Sequence, residues 1–203
     1  MSKLNVDEIS DVDNTGPVTI TDGLIVSSGG IVSSGSAVLT SASTANFPAG
    51  SVLQVVQVKK TDTFSATSQA WVDVTGLSVS ITPTSATNKI LVSFSVNWSA
   101  TSHSDLKLVR DSTDIAIGDT AGSRTRSTSH IYRGFDNGYY DTPTASMMWL
   151  DSPATTSSTT YKIQVACPYS ASYYVYINST GNDADGTYNG RNVSTITLME
   201  ISA

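Results

Sequence analysis

The stretch Asn88-Lys-Ile-Leu-Val-Ser-Phe-Ser-Val-Asn-Trp98 decides the fold. Ile90, Val92, Phe94, Val96 and Trp98 recur at every second position, so an extended chain places all five on one face. Leu91, Ser93, Ser95 and Asn97 fall on the other. A helix would scatter this pattern around its circumference, whereas an antiparallel strand with one buried face requires it. Working outward, similar runs occur at residues 52–59, 71–83, 105–110, 144–150, 160–167, 173–178 and 193–201. Turn signals such as Pro83-Thr, Asp136-Asn-Gly138, Asp185-Gly and Asn189-Gly separate several of them. No segment carries a sustained helical period. The expected fold is therefore all-β: an antiparallel β-sandwich of jelly-roll type over residues 51–203, preceded by an extended N-terminal stem.

Two of these runs break the alternation. Met147-Met-Trp-Leu150 and Ile196-Thr-Leu-Met-Glu-Ile201 are apolar on both faces. The expectation is that a neighbouring subunit covers their second face, the alternative being a central strand under a loop.

Residues 1–50 read differently. Their apolar side chains are scattered among Ser, Thr, Gly and Asp, and a short direct repeat appears: Ile25-Val-Ser-Ser-Gly-Gly30, then Ile31-Val-Ser-Ser-Gly-Ser36. One copy of such a strip cannot enclose its own apolar positions, and an isolated hairpin is marginal in water. This segment is expected to attach to, or intertwine with, other chains. The length of 203 residues, at roughly 150 per domain, fits one domain plus such an appendage.

Composition excludes several classes. Charged residues make up 14%, against ~25% in ordinary soluble domains, and the net charge is −6. A nucleic-acid binder driven by counterion release needs the opposite sign. No apolar run approaches the ~20 residues of a membrane-spanning helix, so membrane insertion is not expected. The opening MSKLNVDEISDVD is acidic and has no apolar core, unlike a secretory signal. The single Cys167 lies in an alternating run and reads as a small core residue.

Catalytic signatures are missing. His103 and His130 have no metal-ligand spacing, and no nucleophile elbow, zinc-protease, phosphate-loop or dinucleotide pattern occurs. The chain is expected to be non-enzymatic, with no cofactor and no metal. Two acidic segments look superficially like calcium loops, Asp11-Val-Asp-Asn-Thr-Gly16 with Asp22, and Asn182-Asp-Ala-Asp-Gly186. The first lacks flanking helices, and the second reads equally well as a hairpin turn.

The binding candidates lie between Arg110 and Thr144, a polar stretch long for a connection within a compact domain. Arg124, Arg126, His130 and Arg133 form a positive island with no acid between Asp119 and Asp136, and Tyr132, Tyr139 and Tyr140 stand close by. Arginines beside exposed aromatics suit sugar rings and acidic glycan groups, through stacking and paired hydrogen bonds. The alternative is that the arginines pair with nearby aspartates and the tyrosines cover the sandwich edge. A second cluster, Tyr169, Tyr173, Tyr174 and Tyr176, alternates so that Tyr174 and Tyr176 face opposite to Tyr173, Val175 and Ile177.

Lys3-Leu-Asn-Val-Asp-Glu-Ile9 and Asn14-Thr-Gly-Pro-Val-Thr-Ile-Thr-Asp-Gly-Leu24 resemble the N-terminal stem segments of virion structural proteins of marine tailed phages, cyanophages above all. Gly50-Ser-Val-Leu-Gln-Val-Val-Gln-Val58 and Ser194-Thr-Ile-Thr-Leu-Met-Glu-Ile201 are similar to the first and last strands of their distal β-domains. The resemblance implies a homotrimeric protein on the tail or head surface of a virion. It would join other virion proteins through residues 1–50 and meet host cell-surface polysaccharide with its head. A short tail fibre, a fibre tip and a capsid decoration protein all fit.

Overall fold

The computed structural model describes residues 47–132 and 140–203. Among these residues the fold is all-β, in two antiparallel sheets. The first sheet contains β1 (Val52–Lys60), β2 (Phe64–Ala66), β4 (Lys89–Ala100), β8 (Thr144–Asp151), β10 (Val175–Ile177) and β11 (Ser194–Ile201), ordered β1-β11-β4-β10-β2, with β8 also paired to β4. The second contains β3 (Val72–Ile81), β5 (Ser104–Arg110), β6 (Thr113–Ile115), β7 (Ser129–Ile131) and β9 (Thr159–Ala166), ordered β3-β9-β5-β6, with β7 paired to β5.

The alternation of β4 fixes the register of the first sheet. Ile90, Val92, Phe94, Val96 and Trp98 all turn inward and are buried. They meet Ile196 and Leu198 of β11 on their own sheet. Across the core lie Val74, Leu77 and Ile81 of β3, Leu106 and Leu108 of β5, and Tyr161, Ile163 and Val165 of β9. At roughly 25 cal/mol per Å2 of apolar surface, burying each such side chain contributes on the order of 2 kcal/mol toward offsetting chain entropy. Cys167 is fully buried, as its run implied, and burial pushes its thiol pKa up, which disfavours the reactive thiolate.

Each sheet carries one backbone feature that requires a particular residue. In β3 the pairing to β9 shifts between Asp73 and Ser78, and Gly76 there adopts φ of 87°, a conformation that only glycine reaches without strain. Where β10 ends, the buried Asn178 sits at φ of 61°. Its Nδ2 donates to the carbonyls of Lys60 (2.8 Å) and Asp62 (3.0 Å), and its Oδ1 accepts from Ser194 Oγ (2.6 Å). Asparagine tolerates this left-handed geometry because its short amide satisfies the local backbone.

The two outer faces differ. On the second sheet, Asp73 accepts from Lys162 Nζ (2.8 Å) and Gln164 Nε2 (2.6 Å), while Lys107 pairs with Asp114 (2.6 Å) and lies 4.5 Å from the Trp71 ring centre. On the first, the register sets Val55, Met199, Leu91 and Leu150 side by side across four strands, with Met148 one row away. Val55, Leu150 and Met148 are 55%, 49% and 66% exposed, so the single chain leaves the second face of β8 open.

β2, β6 and β7 were not expected. Each has three residues, too few to show a period; β6 and β7 form because the longer β5 supplies their pairing, and β2 because it pairs with the equally short β10. β6 and β7 give structure to the stretch after Arg110. Of the expected stem, residues 1–46 lie outside the described residues, and with them the Asp11–Asp22 segment.

Candidate functional site

β5 and β7 build the site. Asp105 and His130 are direct cross-strand partners, so their side chains share one face, and Asp105 Oδ1 lies 3.0 Å from His130 Nδ1. β7 is held in place by the loop that precedes it. Thr128 N donates to Leu106 O (2.9 Å), Thr128 Oγ1 accepts from Leu108 N (3.0 Å), and Gly118 N donates to Ser127 O (3.2 Å). Arg126 Nε closes the loop by donating to Gly118 O at 2.7 Å.

Beside this pair opens a cavity of about 430 Å3, lined by Asp105, His130, His103, Arg124, Pro168 and Tyr169. His103, on the turn between β4 and β5, is the hub of a ring array. Its ring stacks on Tyr132 at 4.4 Å and approaches His130 at 5.7 Å and Tyr169 at 5.6 Å; Tyr169 in turn stacks on Tyr173 at 5.8 Å. Tyr169 is 69% exposed and presents an open ring face. A second depression of about 310 Å3, walled by Trp98, Ile131, Tyr132, Pro143 and Thr144, also touches His130. Ring faces around a concave surface with a few convergent polar groups are the usual make-up of a small-ligand site.

The electrostatics are mixed. Asp105 is 1% exposed, and its Oδ2 is buried with no hydrogen-bond partner among the described residues. Lys107, two residues along the same face, is taken up by Asp114 and Trp71. Arg124 is exposed, donates to Ala121 O at 3.3 Å and has no carboxylate partner among the described residues. Both Arg124 and Arg126 thus bond backbone carbonyls, where the structural alternative expected aspartates. The His130–Asp105 pair orients the imidazole, yet no serine or threonine hydroxyl among the described residues is hydrogen-bonded to that ring. Among the described residues, no three His, Cys, Asp or Glu side chains converge to hold a metal.

Of the residues expected to bind glycan, Arg124 and His130 line the larger cavity, and Tyr132 stands between His103 and the smaller one. Arg126 braces the loop. Tyr140 packs edge-on against Tyr188 at 5.6 Å and lines neither cavity. Arg133 and Tyr139 lie outside the described residues. Sequence reading missed His103 and Asp105 as site residues and placed Tyr169 in a separate cluster. The one usable signal was that both histidines of the chain flank β5 and β7, but that pairing is invisible without the three-residue β7. The acidic turn 182–186 is closed on itself: Asp183 pairs with Arg191, and Asn189 Nδ2 donates to Ala184 O at 2.8 Å.

No protein-family model matches this chain, and no curated protein matches it significantly.

Proposed function

We propose that this chain is a non-enzymatic surface protein of a tailed-phage virion, a homotrimeric short tail fibre or fibre tip. Residues 1–50 attach it to other virion proteins, and the β-sandwich head contacts glycan on the host surface. The observation that carries the reading is the concave site between β5 and β7, where Arg124 and His130 meet the rings of His103, Tyr132 and Tyr169. Stacking faces with a free guanidinium and an acceptor match what a sugar offers: flat C–H faces, hydroxyls and acidic substituents. The resemblance of both chain ends to phage stem and distal-domain segments supports the setting.

Replacing Arg124 and Arg126 together by alanine is expected to cut virion adsorption to host cells several-fold while the melting temperature of the purified protein stays within a few degrees. Adsorption at the native level would remove the glycan role. Deleting residues 1–50 is expected to leave a folded head that no longer incorporates into virions, and normal incorporation would remove the attachment role.

A second reading, a capsid decoration protein that stabilises the shell, is favoured by one observation. The apolar row Val55–Met199–Leu91–Leu150 is the kind of exposed face that protein contacts cover. Labelling of purified virions separates the two, on the tail in the first case and over the head in the second.

A further inference from the structure

The cavity beside His130 is selective in its charge. Asp105 repels a simple anion, and Arg124 repels a simple cation, so neither kind of small ion satisfies both walls. Each group lacks something different. Asp105 Oδ1 is engaged by His130 Nδ1, while Oδ2 has no donor among the described residues; a buried carboxylate oxygen left unmatched costs about 1–3 kcal/mol or more. Lys107 cannot supply that donor, because Asp114 and the Trp71 ring hold its ammonium. Among the described residues the Arg124 guanidinium makes one side-chain hydrogen bond, the long one to Ala121 O. Tyr169 adds an apolar ring face.

We infer that the cavity takes an acidic sugar of the hexuronate class, an inference that rests on the glycan reading above. A ring hydroxyl of the sugar donates to Asp105 Oδ2, the sugar carboxylate pairs with Arg124, and the C–H face lies on Tyr169. Oδ2 is buried, so this contact requires the half-exposed His130 ring to turn aside as the sugar enters. A neutral sugar can satisfy Asp105 and Tyr169 but leaves Arg124 unused. A free carboxylate satisfies Arg124 alone.

The test is calorimetric titration of the full chain with a hexuronate oligosaccharide and with its neutral hexose counterpart. The acidic sugar is expected to bind about tenfold tighter or better, the worth of one charge-assisted hydrogen-bonded pair. Arg124→Ala, at an exposed position that does not threaten folding, is expected to bring the two affinities together. Asp105→Asn turns the free acceptor into a donor and is expected to weaken both sugars about tenfold. Equal affinity for the two sugars in the native chain overturns the acidic-sugar assignment and leaves the glycan reading standing. Failure of both sugars to bind overturns both. An acidic preference that survives Arg124→Ala unchanged overturns the role of that arginine and with it the assignment.

Discussion

Glu200 and Asp105 are both buried carboxylates, set near opposite ends of β4, and the sandwich treats them differently. Glu200, opposite Ile90 near the start of that strand, is fully buried and has four donors. Asn88 Nδ2 (2.6 Å), Thr84 N (2.7 Å) and Thr84 Oγ1 (2.8 Å) reach one oxygen, and Gln54 Nε2 (2.6 Å) reaches the other. Those donors come from β1 and from the turn between β3 and β4, so the carboxylate ties three segments together. Asp105, near the start of β5, has one partner, and its other oxygen is buried without a hydrogen bond among the described residues. Burial of a charge without full pairing works against stability, so the two sites teach the same rule from opposite sides. A saturated buried carboxylate belongs to the fold. One left half-paired in the wall of a cavity is matched to something that arrives.

The largest break in this comparison comes from Glu200→Ala. It removes the acceptor of the Thr84 backbone N–H and of one N–H each of Asn88 and Gln54, whose amide nitrogens keep only their bonds to Thr84 Oγ1 and Thr82 O. The expected loss is about 3 kcal/mol or more in urea unfolding. A native-like midpoint would show that the donors re-pair without the carboxylate and that the two sites are alike.

Acid titration sharpens the same point. Burial alone would raise the Glu200 pKa, but the hydrogen bonds from Asn88, Gln54 and Thr84 outweigh it and hold the carboxyl below its ordinary 4.5. A carboxyl with a folded pKa below its unfolded value contributes fully above about pH 4.5 and loses that contribution as pH falls further. Melting temperature is therefore expected to drop steeply below that pH in the native chain and less steeply in Glu200→Gln. Parallel acid profiles for the two proteins would remove Glu200 as the cause.

A third carboxylate lies between the extremes. Asp151 accepts from Arg110 NH1 (2.9 and 2.7 Å) and from the buried Tyr161 hydroxyl (2.7 Å). Burial and that carboxylate raise the Tyr161 pKa far above its usual value, so the phenol stays a donor at every physiological pH. Tyr161→Phe removes one of three bonds and is expected to cost about 1–2 kcal/mol, read from the same denaturation curves.

Met148→Ser with Leu150→Ser is a smaller perturbation, since both side chains are exposed in the single chain. Monomer stability is expected to shift by no more than about 0.5 kcal/mol per site, while a sedimentation experiment should show a lighter species if sister chains cover this face. An unchanged sedimentation coefficient would show that no self-association depends on this face.

What the sequence disclosed follows from periodicity. Long strands with one apolar face, such as β4 and β9, alternate far enough to declare both their type and their buried face, whereas β8 and β11, apolar on both faces, declare only their type. β2, β6 and β7 declare neither, because three residues carry no period, and β2 and β7 depend besides on partners distant in the chain. Part of the site fails to read for that reason. Arg124, His130 and Tyr132 were found as a cluster of types within one loop, whereas Asp105 looked like an ordinary strand start and His103 like a turn residue. Only the β5–β7 register brings Asp105 against His130. The alternation of residues 194–201 places Glu200 on the same face as Ile196 and Leu198, an acid on the apolar face, but it does not announce the four donors that meet it there.

The most direct measurement is the unfolding free energy of Asp105→Asn in the ligand-free protein, compared with Glu200→Gln under the same conditions. Asparagine keeps an acceptor for His130 and removes a buried charge that the fold leaves half-paired. The expected result is no loss of stability, or a gain of up to about 1 kcal/mol, against a clear loss for Glu200→Gln. A loss of 2 kcal/mol or more at Asp105 would mean that its carboxylate, like that of Glu200, serves the fold and is not held for a ligand.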